Sequence, residues 1–232
     1  MGRKRAFPWR WRIAALALLA VIACGGWAWW QAQHWAPPMS EFPVQGVLVG
    51  ARDGDADFAA LHAIGASFVY LEASDGASGR DAAFARNLGR VRGRGLSYGV
   101  VHAYDPCIAA EHQAANFVTT VPRDDSLLPP AIALERIAQD CPRMVSDAEV
   151  ESELTTFLNQ VEGHVGKPAI LKMSAAFQER YGLAARMERG LWLERDWFQP
   201  DYAGRPWTLW TANANLRTQA GPMPLRWVVA QP

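Results

Sequence analysis

The chain has no excess of either charge, since 23 Lys and Arg offset 23 Asp and Glu, and no run of Lys or Arg interleaved with aromatics occurs in its body. Nothing in that balance calls for a nucleic-acid partner. Cysteine is scarce: there are three, Cys24, Cys107 and Cys141. The stretches "YDPC" and "QDCP" lack the further His or Cys at ligand spacing that a metal site needs, so neither a metal nor a cofactor is expected. Two absences are local. No Asp, Glu, Lys or Arg occurs from Ile13 to Ser40, and no Asp or Glu after Asp201. The first clears a membrane-length stretch of charge, and the second denies a carboxylate to the C-terminal segments.

What is present begins with a basic segment, residues 1–12, carrying Arg3, Lys4, Arg5, Arg10 and Arg12. Residues 13–35 follow as an apolar run long enough to span a bilayer at about 20 residues per crossing. Basic residues before it and Trp27, Trp29, Trp30 and Trp35 at its far end orient it with the N-terminus inside. This reading gives a single-pass anchor in a bacterial inner (cytoplasmic) membrane, with the following domain on the periplasmic or extracellular side. Two alternatives stand beside it. "VIAC" ending at Cys24 loosely resembles a lipoprotein acceptor site, and a cleaved secretory signal has the same composition. All three export the rest, which makes Cys107 and Cys141 either a disulfide or two buried thiols. "APPMSEFP" (36–43) reads as a linker.

With half its residues apolar, the chain has ample material for a core. From residue 44 strand-like and helix-like stretches alternate: "VQGVLVG", "ASFVYLEAS", "LSYGVVHAY", "PPAIALE" and "KPAILKMS" are strands separated by helical patterns. The strongest helix is "SDAEVESELTTFLNQVEGHVG", with a capping box at Ser146 and Glu149 and an apolar stripe of Val150, Leu154, Phe157, Leu158 and Val161. Beyond it "GLWLERD", "RPWTLWTA" and "LRWVVAQ" read as three more strands without clear helices. Eight such strands predict an α/β fold, a closed TIM-like eight-stranded barrel, with its site at the strand C-termini.

The order of these motifs resembles the glycoside hydrolase family 25 lysozymes, N-acetylmuramidases that cut peptidoglycan. "GASFVYLEASDG" looks like that family's second-strand motif, "YGVVHAYDP" its third, "LLPPAIALE" its strand ending in Asp-x-Glu, "KPAILKMS" the next, and "RPWTLWTAN" a late Trp-containing strand. The resemblance covers residues 44–232 and implies a barrel of five βα units followed by three strands, with peptidoglycan glycan strands as partner. It also implies a disulfide between Cys107 and Cys141.

Glycoside hydrolysis takes a carboxylic acid and a second carboxyl group. Glu135 matches the family's acid, and a partly desolvated Glu is expected to have its pKa raised toward that of a proton donor. The partner positions depart from the pattern: Ala133 and Leu48 stand where Asp is expected, Leu171 replaces a Tyr, and Glu72 replaces a Lys. A late Asp falls within "MPLRWVV", which has none. The resemblance therefore implies weakened or lost hydrolysis, or a non-catalytic glycan-binding barrel. Glu72, Asp53 and Asp105 are the replacement carboxylates to consider, with Glu72 equally readable as the partner of an Arg. Trp210, His102 and Tyr104 are the expected substrate-binding residues.

Overall fold

The computed structural model describes residues 9–232, so Arg3, Lys4 and Arg5 lie outside the described residues. It divides into two units, one ending at Trp35 and the other running from Ala36 to Pro232. In the first, α1 (Trp9–His34) is a helix of 26 residues with no buried side chain. At 1.5 Å per residue it is about 39 Å long. With a mean hydropathy of 1.9 over an 18-residue window, it is long and apolar enough to cross a membrane, a test that an N-terminal signal sequence also passes. Cys24 is free and exposed on it.

The second unit opens with β1 (Gln45–Val49), α2 (Phe58–Ala63) and β2 (Ala66–Asp75), then the two-residue β3 (Gly79–Arg80) and α3 (Phe84–Val91). It continues through β4 (Ser97–Ala103), α4 (Ala110–Thr120), β5 (Ala131–Leu134), α5 (Asp147–Val165), β6 (Ile170–Met173) and α6 (Ala175–Tyr181). The last three strands, β7 (Gly190–Glu194), β8 (Leu209–Leu216) and β9 (Leu225–Ala230), have no α-helix between them. The order β1-β9-β8-β7-β6-β5-β4-β2 is closed by pairing of β1 with β2, so the barrel has eight strands, as the alternation predicted. Only β9 runs antiparallel to its barrel neighbours, while β3 pairs with the end of β2 as a flap.

Alternation along each strand sorts side chains between barrel interior and helix layer. Leu48, Tyr70, Val101, Ala133, Trp192 and Val228 point inward and pack as one cluster. The outward residues meet the helices, where Phe117 of α4 and Phe157 of α5 are fully buried. Full burial of each such side chain contributes about 1.5–3 kcal/mol. The whole predicted stripe of α5 is buried. Its cap differs from expectation: Ser146 accepts the Glu149 N–H, but the Glu149 carboxylate bonds Arg143 instead of closing the box. The helix stops at Gly166, whose φ of 75° suits a residue without Cβ.

Candidate active site

Seven strands deliver their C-terminal ends to one mouth, and antiparallel β9 brings its N-terminal end there. The mouth holds a cavity of about 400 Å³ whose apolar floor includes Leu48, Val101, Ala103 and Ala133. Its walls carry Glu72, Asp75, Asp81, Glu135, Arg136, Arg80 and Lys172. A volume in this range suits a small-ligand site.

Lys172 is placed here by strand phase. It lies two residues after inward Ile170, and its backbone pairs with Ala133 on one side and Trp192 on the other. The side chain is 4% exposed, and its Nζ donates to Glu135 Oε1 at 2.5 Å and pairs with Glu194 Oε1 at 3.0 Å. The ammonium also lies 6.0 Å from the centre of the Trp192 ring. Burial raises the Glu135 pKa, but the charge and hydrogen bond of Lys172, with added attraction from Arg226 and Arg52, outweigh it and hold the carboxyl below its usual range. The expected upward shift is therefore reversed. Glu135 is a paired carboxylate, and the ionisable residue that governs it was legible only as a lone Lys within the apolar strand "ILKM".

A second ion cluster closes the opposite side. Arg226 on β9 is in register with Leu48 and in phase with inward Val228. Its guanidinium donates to Glu72 and, at 2.7 Å, to Asp53 Oδ2. Asp53 also accepts the Gly50 N–H at 2.7 Å. Burial lowers the Arg226 pKa, yet Glu72 and Asp53 raise it above normal, so the cation is secure. Glu72 thus lines the cavity with Glu135 but is engaged by an Arg, and Asp53 is buried and does not line it. The resemblance implied a Lys at position 72 and an Asp within "MPLRWVV". The chain instead has Glu72 and Arg226.

Asp105, the third replacement candidate, also stands outside the cavity. Its carboxylate accepts from Cys107 N–H and pairs with Arg136 at 3.4 Å. Arg136 in turn grips Asp75 with two hydrogen bonds of 2.6 Å. The disulfide Cys107–Cys141 joins the same loops, those following β4 and β5. Among the described residues no group of three or more His, Cys, Asp or Glu could hold a metal ion.

The three residues expected to bind substrate do not reach the cavity. Inward Val101 and Ala103 put His102 on the helix side, where it is fully buried between Phe117 and Phe157 and bonded to Ser74 Oγ at 2.8 Å. Burial lowers its pKa to about 4, so the ring is neutral. Tyr104 is 1% exposed against Phe157, with its hydroxyl pKa pushed up by burial. Trp210 is packed against Phe42 and Trp207 and donates its indole N–H to Arg195 O.

Comparison with known proteins places this geometry. The family model described as glycosyl hydrolases family 25 matches residues 49–216. The chain belongs to glycosyl hydrolases family 25. A solved family 25 glycosyl hydrolase from Bacillus anthracis is 25% identical, with a TM-score of 0.77 over 86% of this chain and 94% of that one. A bacterial lysozyme from Streptomyces coelicolor, 19% identical, shares the fold with a TM-score of 0.71 over 82% of this chain and 92% of that one. The uncharacterized protein YegX of Escherichia coli K12 is 28% identical over 145 residues, 62% of this chain and 51% of YegX. The chain thus spans about half the length of the curated relatives it matches. In its mouth Lys172 pairs with Glu135, Arg226 with Glu72 and Arg136 with Asp75.

Proposed function

We propose that this family 25 barrel is an exported, membrane-anchored peptidoglycan-binding domain in which lysozyme-type hydrolysis is lost or strongly weakened. The observation that carries this reading is the Lys172 ammonium 2.5 Å from Glu135. A general acid must hold a proton at working pH, and a carboxyl group held below its usual pKa has already given it up. The other acids near it are absent or engaged: Ala133 and Leu48 carry no charge, Glu72 and Asp53 neutralise Arg226, Asp75 is held by Arg136, and Asp81 accepts the backbone N–H groups of Ala51 and Ala83. Loss of such electrostatic stabilisation removes several kcal/mol from catalysis, on the order of 3–4 kcal/mol for one donor in comparable sites.

Retention of glycan binding is supported by family membership and by an intact cavity of about 400 Å³ with both apolar and polar walls. Export to the outer side of a cytoplasmic membrane is supported by the apolar α1, by Arg10 and Arg12 at its start and by the disulfide, which suits an oxidising compartment.

The test incubates the purified full-length chain in detergent with peptidoglycan and measures co-sedimentation and reducing-end release. Sedimentation without release is expected. Release that Glu135→Gln abolishes would instead make the domain a hydrolase with Glu72 as second carboxylate, a reading favoured by the presence of both acids in one cavity.

A further inference from the structure

We infer that the loop after β7 carries a glycan-stacking platform, formed by Trp197 and Phe198, which extends the Glu135 cavity along the rim of the barrel. It rests on the glycan-binding reading above and adds to it a subsite outside the cavity.

Trp197 is 44% and Phe198 63% exposed, an apolar surface at the end of a barrel strand. Among the described residues Trp197 is the one non-glycine with a positive φ, 66°. A bulky side chain held there works against its own backbone preference, and such conformations concentrate at functional sites.

The surroundings enforce this conformation. The Trp197 N–H donates to Ala212 O at 2.8 Å, and Asp196 Oδ1 accepts the Ala214 N–H at 2.7 Å, which fastens the loop to β8. Tyr202 fastens its other limb by accepting the Glu194 N–H and donating to Met173 O at 2.7 Å. Arg195 pairs with Asp201 and lies 5.8 Å from the centre of the Phe198 ring, which orients that ring. Both aromatics are therefore presented on a preorganised segment, where ligand contact requires little further ordering.

Position selects the ligand. Trp197 follows Glu194 by three residues, and Glu194 holds the Lys172 that holds Glu135. Glu194 thereby sets the end of β7 beside the Lys172 wall of the cavity, the side on which the proposed platform continues it. Pyranoses present apolar C–H faces, for which an aromatic face bordered by Arg195, Asp196 and Asp201 is complementary.

The test uses calorimetric titration of the full-length chain with a β-1,4-linked N-acetylglucosamine hexamer and dimer. Phe198→Ala is expected to weaken hexamer binding about five- to ten-fold, in line with one lost aromatic contact, and to leave dimer binding unchanged. Phe198→Trp restores the hexamer affinity, and the thermal midpoint of both variants stays at the parent value. If the parent binds hexamer and neither Phe198→Ala nor Trp197→Ala weakens it, the platform is overturned while the glycan reading stands. If the parent binds neither saccharide, the glycan reading fails and takes the platform with it. Loss of self-association on Phe198→Ala, with hexamer affinity intact, assigns the patch to a second copy and also overturns the proposal.

Discussion

Lys172 Nζ lies 2.5 Å from Glu135 Oε1, joining β6 to the end of β5. Glu135, the acid that the resemblance implied, is thereby the anionic half of an ion pair whose cation is buried. The pairing follows from strand phase: Ala133, opposite Lys172 in register, offers no carboxylate, so the ammonium reaches Glu135 and Glu194.

Removing the cation should release the acid. In Lys172→Met, Glu135 and Glu194 face each other across an apolar stem, and like charge together with desolvation raises the Glu135 pKa. Side-chain carboxyl NMR across a pH titration reads this directly. An unchanged Glu135 titration would sink the claim that Lys172 sets its protonation state. The stability cost should be small, about 1 kcal/mol, because Glu135 is half-exposed and water screens the pair.

Arg226 should behave differently because both it and Asp53 are buried. Arg226→Met leaves Asp53 with only the exposed Arg52, 3.9 Å away, and breaking a buried pair from one side costs about 3–5 kcal/mol. Chemical denaturation should show that loss, and adding Asp53→Asn and Glu72→Gln should recover part of it. Additive costs across the three substitutions would mean that the groups do not act as one cluster.

Gly50 ties that cluster to the backbone. A Cβ built there would lie 1.9 Å from Glu72 Oε2, although its φ of −141° suits any residue. The glycine leaves room for a carboxylate that Arg226 holds in place. Gly50→Ala should cost about 1–3 kcal/mol by overpacking. In a Glu72→Ala background, where the Glu72 clash is gone and only Asp81 Oδ2 at 3.1 Å stays close, its cost should fall below half of that. Equal costs in both backgrounds would refute the steric account.

The eight strands and the four barrel helices α2 to α5 were readable because each apolar run had turn signals at its ends, whereas α6, only seven residues long, was implied by the resemblance alone. Which face of a strand pointed inward was not. Strands of a parallel barrel are buried on both sides, so "YGVVHAY" has no polar alternation to fix its phase. A shift of one residue moves His102 from cavity to helix layer, and Trp210 likewise gives the inward place to Leu209. Glu72 and Lys172 were visible as ionisable residues in apolar strands. Their pairing with Arg226 and Glu135 depended on barrel closure and register, which join positions 154 and 37 residues apart.

His102 should impose a pH dependence of its own. Its pKa falls from 6.5 to about 4 on burial, so the folded state favours the neutral ring. The contribution is present above pH 6.5 and is lost as pH falls toward 4, amounting to about 3 kcal/mol at 1.36 kcal/mol per unit. Glu135, also depressed, adds its loss only at lower pH, below the ordinary carboxylate value. Denaturation midpoints should decline between pH 6.5 and 5 in the parent and stay nearly level in His102→Gln. Parallel profiles would show that another group carries the acid sensitivity.

The disulfide predicts an effect on the fold separable from the chemistry of the mouth. Cys107 and Cys141 are 34 residues apart, and closing a loop of that length in the unfolded chain stabilises the native state by about 3–4 kcal/mol in the chain-entropy account. Cys107→Ala with Cys141→Ala should therefore lower the denaturation midpoint by a corresponding amount, and reductant should do the same to the parent. The strands that carry Glu135 and Lys172 are joined by their own ladder from Ala131 to Leu134, which the bridge does not touch. Glu135 should accordingly titrate as in the parent once the bridge is gone, whereas Lys172→Met shifts it with the bridge intact. A Glu135 titration that moves on loss of the disulfide would mean that the loops after β4 and β5, and not the strand register, place the ion pair.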